Sequence, residues 1–424
     1  MDKKENKSFI KSILTLMSGT AGAHLITITA LPFLQRYFYS AADFANFAWF
    51  FEFVMIFVTV GALRLETGVV LEQDERKARI LTNIALKLVL LSALVGSLVA
   101  VIGSLVFSSF KDVLSELWMY LLIPVAIISL GVIQVLSSWF TRTQDFSFLA
   151  GNKIYQTTGT TATQIGLGMS KLLSGGLIIG RNIGTSMVGV LLLRKYVRTQ
   201  NEKINATKEE VKTIIKKNKD FILYTTPSTF IGTFINFIFI DLFIRFYGED
   251  LTGSLATSKQ YLGMGLAFIS SAFAQVFYSQ IAKINDIGEL KTYYTYWMKR
   301  LVITSLLILV IVSAVPNSWA PALLGKEWTN LIPVIKIMVI WMSIMFVSSS
   351  LSYVYIKLNR QRTLIVFDLV HLLLTVGSIL ISYHLYHDFW ISLYWFTVAK
   401  GFYYLFAIFA TYYFFRNPIA EKNH

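Results

Sequence analysis

Positively charged side chains inside apolar stretches are the residues of this sequence best suited to binding chemistry. Arg181 and Lys259 each lie in a long apolar run, about two turns from the end predicted to face outward. Arg36 and Arg245 lie at the outward ends of two other runs, in corresponding places of the two halves of the chain. A fixed cation in hydrocarbon costs at least ~2.5–3.5 kcal/mol, so its presence indicates an acidic partner or an anionic ligand. Guanidinium groups suit phosphate because they donate two parallel hydrogen bonds.

Acidic residues offer the alternative explanation for these cations. Glu52, Glu66, Asp241 and Asp368 are candidate partners, which would turn the cations into structural ion pairs. Arg64 and Glu66 are close enough in sequence to pair locally. Both interpretations remain open. The carboxylates Glu52, Asp241 and Asp368 are also candidates for ion coupling, because each can take up and release a proton.

Uncharged polar side chains recur at helical spacing in two segments. Gln156, Thr160 and Gln164 share one face of the first segment, and Thr233 and Asn236 share one face of the second. Lipid does not tolerate such faces, so they must look toward other helices or a water-filled cavity. Their density favours a cavity, and interhelical hydrogen bonding is the alternative for each residue.

The elements that position these residues follow from composition. The chain has 424 residues, of which 55% are hydrophobic and 15% are charged. Backbone groups in lipid must pair within their own segment, so the long apolar runs predict transmembrane helices. The fold class is therefore all-α, with twelve helices predicted at 9–35, 41–64, 80–107, 116–140, 148–170, 174–197, 218–245, 252–282, 298–323, 328–356, 362–384 and 388–415.

Lysine and arginine residues are distributed asymmetrically about these spans. With the N-terminus inside, the inner connections and termini hold 28 of the 38 lysines and arginines, the outer connections hold five, and five lie within spans. This bias follows the positive-inside rule and predicts that both termini are cytoplasmic. It also explains the net charge of +14 without a nucleic-acid partner.

A polar, lysine-rich stretch divides the chain into two sets of six helices. We predict an N-terminal bundle over 1–199, a cytoplasmic linker over 200–217 and a C-terminal bundle over 218–424. A faint repeat aligns Arg36 with Arg245, and six helices per half would make that repeat parallel. On the sixth helix, Gly176, Gly180 and Gly184 form a small-xxx-small ridge that permits close packing.

Signatures of catalysis, cofactors and metals are missing from the sequence. There is no cysteine and no Walker A sequence, and the five histidines lack metal-ligand spacing. The outer connections are short, whereas a membrane glycosyltransferase would want a substantial acidic loop. We therefore predict a non-enzymatic protein with no cofactor and no metal site.

Several segments, taken in order along the chain, resemble the polysaccharide biosynthesis/export family of oligosaccharide flippases, which belongs to the MOP superfamily. The first half contributes the stretch 33–71, and the second half contributes Leu324-Gly325-Lys326-Glu327-Trp328. The remaining similar segments are Gln164-Ile165-Gly166-Leu167-Gly168, Gly176-Leu177-Ile178-Ile179-Gly180-Arg181, Ala272-Phe273-Ala274-Gln275-Val276-Phe277-Tyr278 and Leu358-Asn359-Arg360-Gln361. Ala45 and Asn46 depart from the family's usual glycine in the first outer connection.

This resemblance implies two six-helix bundles in a V, a central cationic cavity and alternating access. The implied cargo is an undecaprenyl-pyrophosphate-linked sugar unit for O-antigen, capsule or exopolysaccharide, moved across the bacterial inner (cytoplasmic) membrane. Membrane lipids, a polymerase and other glycan-assembly proteins are the implied partners. On this hypothesis five cations hold the pyrophosphate, and the polar stripes meet sugar hydroxyls. The five cations are Arg36, Arg64, Arg181, Arg245 and Lys259.

Two other functions stay open. A related branch exports cationic drugs, but such an exporter would want a cavity of net negative charge, and the intramembrane excess of Lys and Arg opposes it. A membrane enzyme that polymerises or transfers sugars is the other alternative, and the short outer connections oppose that.

Overall fold

Helices account for nearly all of the regular structure. A computed structural model describes residues 3–170, 175–200, 206–281, 283–358 and 360–416. Predictions that involve Lys171, Asn359, Lys422 or linker residues 201–205 fall outside these ranges. The helices are α1 Lys3–Tyr37, α2 Ala41–Gly61, α3 Leu65–Leu71, α4 Glu75–Val106, α5 Ser108–Val113, α6 Leu117–Arg142, α7 Phe146–Ser170, α8 Gly176–Arg198, α9 Lys208–Lys217, α10 Thr226–Tyr247, α11 Glu249–Ile281, α12 Ile287–Ser313, α13 Trp319–Leu324, α14 Leu331–Ser350, α15 Val354–Lys357, α16 Gln361–Tyr386 and α17 Phe389–Arg416, with a π-helical turn at Phe221–Thr225 and a 3₁₀ turn at Lys326–Trp328.

The predicted all-α membrane class is confirmed. Within the described ranges, each of the twelve predicted spans coincides with a helix of at least 20 residues: α1, α2, α4, α6, α7, α8, α10, α11, α12, α14, α16 and α17. Nine helical stretches in this part of the chain are long and apolar enough to cross a membrane. Of the twelve, α1, α7 and α11 are outside that set, and α7 carries one of the predicted polar stripes.

The prediction missed a break after the second span. We predicted a continuous helix to Arg64, but α2 ends at Gly61, and Leu63 and Arg64 adopt left-handed backbone conformations with φ of 51° and 56°. Residues other than glycine rarely adopt this conformation, and neither of these two positions is a glycine. The left-handed pair redirects the chain into the short helix α3.

The described residues form two compact units, Met1–Phe237 and Ile238–His424, which divide within α10. The beginning of α10 belongs to the first unit because it packs on α2. The Thr59 and Thr233 hydroxyl oxygens are 3.2 Å apart, and the Trp49 and Phe237 rings are 5.4 Å apart. The predicted bundle boundaries at 199 and 218 lie earlier in the chain, and they stay a prediction.

In the first unit, α7 lies between α1 and α8. The glycine ridge makes the α7–α8 approach possible, since a Cβ on Gly184 would lie 2.7 Å from the Thr160 backbone nitrogen. A Cβ on Gly180 would similarly lie 2.9 Å from the Gln164 backbone nitrogen. Backbone meets backbone at this contact, which is the packing that the small residues predicted.

The polar linker contains a helix that docks on the first unit. Helix α9 begins with a capping box between Thr207 and Glu210, and its Ile214 side chain is buried in the core of that unit. Two ion pairs flank this contact: Arg76 with Glu210 at 2.6 Å and Lys217 with Glu72 at 2.6 Å. The linker is therefore an attached element of the first unit over its described part.

Glu72 makes this attachment sensitive to pH. Lys217 donates a hydrogen bond to its carboxylate, and the Asp74 backbone N–H donates a second, so the pKa of Glu72 lies below its usual 4.5. Because the pKa of Glu72 is lower in the folded than in the unfolded protein, its ionised carboxylate stabilises the folded state at pH values above the unfolded-state pKa. This stabilisation is lost as the pH falls through the folded-state pKa. We expect Glu72→Gln to destabilise α9 docking at neutral pH by about 0.2–1 kcal/mol, the usual range for a partly exposed pair.

Hydrogen exchange of the α9 amides measures this local opening. At neutral pH, exchange in α9 should be faster in Glu72→Gln than in the wild type. At a pH below the pKa that Glu72 has in the folded protein, the α9 amides of the two proteins should exchange at the same rate. The exposed Glu209→Gln on the same helix is the matched control and should resemble the wild type at both pH values. Equal exchange in wild type and Glu72→Gln at neutral pH would show that the pair does not hold the helix.

In the second unit, α14 packs against both α11 and α17, and α16 pairs with α17. The two-residue connection between α16 and α17 turns at His387, which has a φ of 50°. This hairpin places the middle of α16 beside the middle of α17. The Phe239 ring of α10 stacks on Phe396 of α17 at 4.3 Å, which brings the end of α10 into the same core.

Candidate functional site

In the first unit, the cation Arg181 packs on aromatic rings. It is half-buried on α8, beside the glycine ridge, and its guanidinium carbon lies 4.5 Å from the Phe51 ring centre and 5.6 Å from that of Phe47. A desolvated cation over an aromatic face gains ~2 kcal/mol, less than the ~2.5–3.5 kcal/mol that a cation in a bilayer costs. The closer ring alone therefore does not offset the charge.

Glu52 is the acid that acts electrostatically on Arg181. It lies on α2, next to Phe51, and is itself half-buried. Among the side chains that the structure describes, Arg181 is in none of the ion pairs found within 4.0 Å. The guanidinium thus packs on aromatic rings, and none of its five N–H donors is in an ion pair with a carboxylate of the described residues.

Arg64 is an ion-paired residue. One of its terminal nitrogens lies 3.4 Å from a Glu66 carboxylate oxygen, and the Gln134 amide of α6 donates to that same oxygen at 2.7 Å. Glu66 is 3% exposed, so this network is buried on the acidic side. The local pairing that the sequence left open for Arg64 is what the structure contains.

Arg245 also has a carboxylate partner. Its guanidinium donates to Asp241 at 2.9 Å, one turn earlier on α10, and Asp241 is 2% exposed. The i,i+4 spacing was visible in the sequence and would have predicted this pair. Arg36 lies exposed in the last turn of α1, as expected for the end of a span. The anion-binding roles of Arg64, Arg245 and Arg36 remain predictions.

The polar stripe of α7 faces α8. The Gln164 side chain donates to the Leu177 backbone oxygen at 3.0 Å, and the Tyr39 hydroxyl donates to the Gln164 backbone oxygen at 2.7 Å. Thr160 and the Gln156 backbone oxygen border Gly184, within 3 Å of where its Cβ would lie. Gln164 is thus engaged in interhelical hydrogen bonding. Gln156 and Thr160 are half-buried along the same contact.

The polar stripe of α10 lies in the first unit. Thr233 donates to the Thr229 backbone oxygen at 2.7 Å and meets Thr59 of α2. Asn236 is half-buried and has contacts of its own. Sugar binding by this stripe remains a prediction.

Lys259 belongs to a second charged group, in the second unit. It is half-buried on α11 and acts electrostatically on Lys400 of α17, which is 5% exposed. Asp368 of α16 acts on Tyr403 and Tyr404, the residues that follow Lys400 by less than one and a half turns. Two lysines and one carboxylate thus occupy the interior of this unit.

Sequence reasoning missed His371 in this group. The Lys400 ammonium nitrogen lies 2.6 Å from His371 Nε2, and the imidazole stacks on the Tyr403 ring at 4.0 Å. The two residues are 29 positions apart on different helices, so spacing along the chain gave no signal. The one indication in the sequence was a histidine in the middle of an apolar helix, which also carries His384 in its last turn.

Comparison with known proteins identifies the fold. No protein-family model matches the chain, and no curated protein sequence matches it. The structure is similar to that of the lipid II flippase MurJ in an inward closed conformation, with a TM-score of 0.73 at 11% identity over 94% of this chain and 87% of that one. It is also similar to an inward-facing multidrug resistance MATE family transporter of the MOP superfamily, with a TM-score of 0.66 at 13% identity over 95% and 94% of the two chains.

A third neighbour is a MOP superfamily transporter from Pyrococcus furiosus, for which reverse polarity of the binding pocket suggests a different function. Its TM-score is 0.54 at 11% identity, over 96% of each chain. At such identities the likeness establishes the fold alone. These neighbours are transporters and flippases rather than enzymes. The chain is a multi-pass membrane protein with the all-α fold of the MOP superfamily transporters.

Proposed function

We propose that this protein flips an anionic lipid-linked oligosaccharide, joined through pyrophosphate to a polyprenyl chain, from the cytoplasmic to the outer leaflet of a bacterial cytoplasmic membrane by alternating access. The observation that carries the proposal is Arg181, whose guanidinium lies over aromatic rings and outside the ion pairs of the described residues. Both termini lie in the cytoplasm on this proposal. Likeness in fold to the lipid II flippase supports the cargo class.

Phosphate chemistry favours arginine at this position. Two parallel hydrogen bonds from one guanidinium match the spacing of phosphate oxygens, and a pyrophosphate offers enough charge to compensate a buried cation. We propose that Lys259, in the second unit, contacts the pyrophosphate at another stage of transport. Arg64 and Arg245 contribute less, since each already has a carboxylate within ion-pair distance.

Membrane voltage assists this direction of movement. An inside-negative potential favours outward transfer of an anion by ~2.3 kcal/mol per charge per 100 mV. The half-buried Gln156, Thr160, Thr233 and Asn236 are proposed to meet sugar hydroxyls when the helices separate during transport. Gln164 already uses its amide between α7 and α8, so its proposed contribution is to hold that helix pair.

Export of organic cations is the rival function, because a multidrug resistance MATE transporter shares the fold. A ligand that binds only the folded state stabilises it, by about 2.7 kcal/mol at roughly 100 times its Kd. Thermal unfolding of the purified protein should therefore shift upward with a polyprenyl-pyrophosphate-linked sugar. A hydrophobic organic cation should give no shift. The reverse ranking would favour a drug exporter and reject the proposed cargo.

A further inference from the structure

The Lys400–His371 contact is an unusual way to accommodate a buried lysine. Nζ of Lys400 lies 2.6 Å from Nε2 of His371, and the lysine is 5% exposed. Buried ammonium groups ordinarily pair with carboxylates, because desolvating an ion costs several kcal/mol. Here the hydrogen-bonded partner is an imidazole, which carries no negative charge in any common state.

Aromatic rings complete the surroundings of this pair. Phe396 and Trp341 lie 5.4 and 5.6 Å from the Lys400 nitrogen, measured to their ring centres. The His371 ring is parallel to Tyr403, with 3° between their planes, and meets the Tyr404 ring edge-on. These contacts hold the imidazole with Nε2 toward the lysine, and they leave Lys400 buried and His371 half-buried.

Helices α11, α16 and α17 supply the titratable groups that act on this pair or on the tyrosines beside it. Helix α16 supplies Asp368 near Tyr403 and Tyr404 of α17, and α11 supplies Lys259, which repels a charge on Lys400. From α14 the facing group is the indole of Trp341, which does not titrate. With both lysines protonated and Asp368 ionised, the group has one positive charge in excess. Loss of one proton from the Lys400–His371 pair makes the group neutral.

We propose that Lys400 and His371 together form a proton-binding site that couples transport to proton entry. In the loaded state the ammonium donates to Nε2 of a neutral imidazole. In the empty state one proton has left for water, and the lysine amine and the imidazole still share a hydrogen bond, since each group can donate or accept. Both states are therefore satisfied in hydrogen bonding, and they differ by one charge inside the second unit.

This inference rests on the proposed transport function, because coupling requires a cargo. It adds the driving ion and its site to that function. A charge of +1 that appears and disappears among the helices of the second unit gives two packings of different stability, which is the kind of bistable element that alternating access needs. The site does not include Glu52 or Asp241, and Asp368 contributes to it as a charge beside Tyr403 and Tyr404.

Proton binding can be measured without any cargo. Purified protein in membranes on a solid support is exposed to a rapid change from alkaline to mildly acidic buffer, and the charge displaced by proton entry is recorded. The wild type should give a transient current. Lys400→Met and Lys400→Arg should lose it, because methionine binds no proton and arginine does not release one. Lys336→Met, which removes a half-buried lysine from α14 of the same unit, is the matched control and should keep the current.

The folded state of each variant is checked by thermal unfolding. Lys400→Met should be at least as stable as the wild type, since an apolar side chain of similar size removes a desolvated charge. His371→Gln keeps Lys400 but replaces the imidazole, and it should shrink the current. A wild-type protein without a current, or a Lys400→Met protein with the full current, would overturn the proton site. Neither result would bear on cargo identity, which the ligand-dependent thermal shift tests separately.

Discussion

Arg181→Glu should abolish surface polysaccharide in cells that depend on this protein for its export, while the variant protein still reaches the membrane. The substitution removes the donors for the pyrophosphate and places a carboxylate beside Glu52. Losing one partner of a buried, hydrogen-bonded charge pair costs about 2–5 kcal/mol, so transport should fall at least about thirtyfold. Surface polysaccharide, measured per amount of membrane-inserted protein, gives the readout.

Two variants separate this effect from a general loss of function. Arg181→Lys keeps the charge but loses the two parallel hydrogen bonds, so it should retain partial export. Lys111→Glu reverses a charge at an exposed position on α5 and should export normally. Full export by Arg181→Glu would remove the reason for assigning an anionic cargo.

Gly184→Leu should prevent α7 from packing on α8, and with it the accumulation of folded protein. Its Cβ alone would lie 2.7 Å from the Thr160 nitrogen and 2.8 Å from the Gln156 oxygen, both backbone atoms that cannot rotate away. Overpacking of a well-filled interior costs about 1–3 kcal/mol even when side chains can adjust. The melting temperature of the purified variant should fall, together with its yield.

Gly166→Leu is the matched control for this variant. It introduces the same side chain on α7, at a position where a Cβ meets nothing within 4 Å. Replacement of glycine within a helix is favourable by up to about 1 kcal/mol, so this variant should be as stable as the wild type or more so. Equal melting temperatures for Gly184→Leu and Gly166→Leu would mean that α7 and α8 are not closely packed.

The long helices were predictable because an apolar run of this length in lipid must satisfy its backbone hydrogen bonds within itself, and an α-helix does so. The predicted 388–415 and the observed Phe389–Arg416 illustrate the agreement. The break at Leu63 and Arg64 was not predictable, since neither residue is of the type that usually adopts a left-handed conformation. The docking of the short α9 through Ile214 was not predictable, because it depends on a surface that only the folded first unit creates.

The residue types of the candidate site were predictable from the sequence, but most of the side-chain contacts that these residues make were not. Buried cations were visible in the sequence, and so was the local Arg64–Glu66 pair. The four-residue spacing of Asp241 and Arg245 on a helix was visible in the sequence, but we interpreted the two residues separately and did not predict their ion pair. By contrast, the rings beneath Arg181 and the imidazole beside Lys400 come from other helices. Contacts of that kind depend on helix rotation and register, which hydropathy does not encode.

Reconstituted transport tests the cargo assignment most directly. The wild type and Arg181→Glu are placed in separate lipid vesicles with a polyprenyl-pyrophosphate-linked oligosaccharide, and a sugar-modifying enzyme outside reports how much cargo appears in the outer leaflet. We predict flipping by the wild type, at a rate that an inside-negative voltage increases, and background flipping by Arg181→Glu. Background flipping by the wild type, combined with accumulation of an organic cation in the same vesicles, would contradict the proposed function.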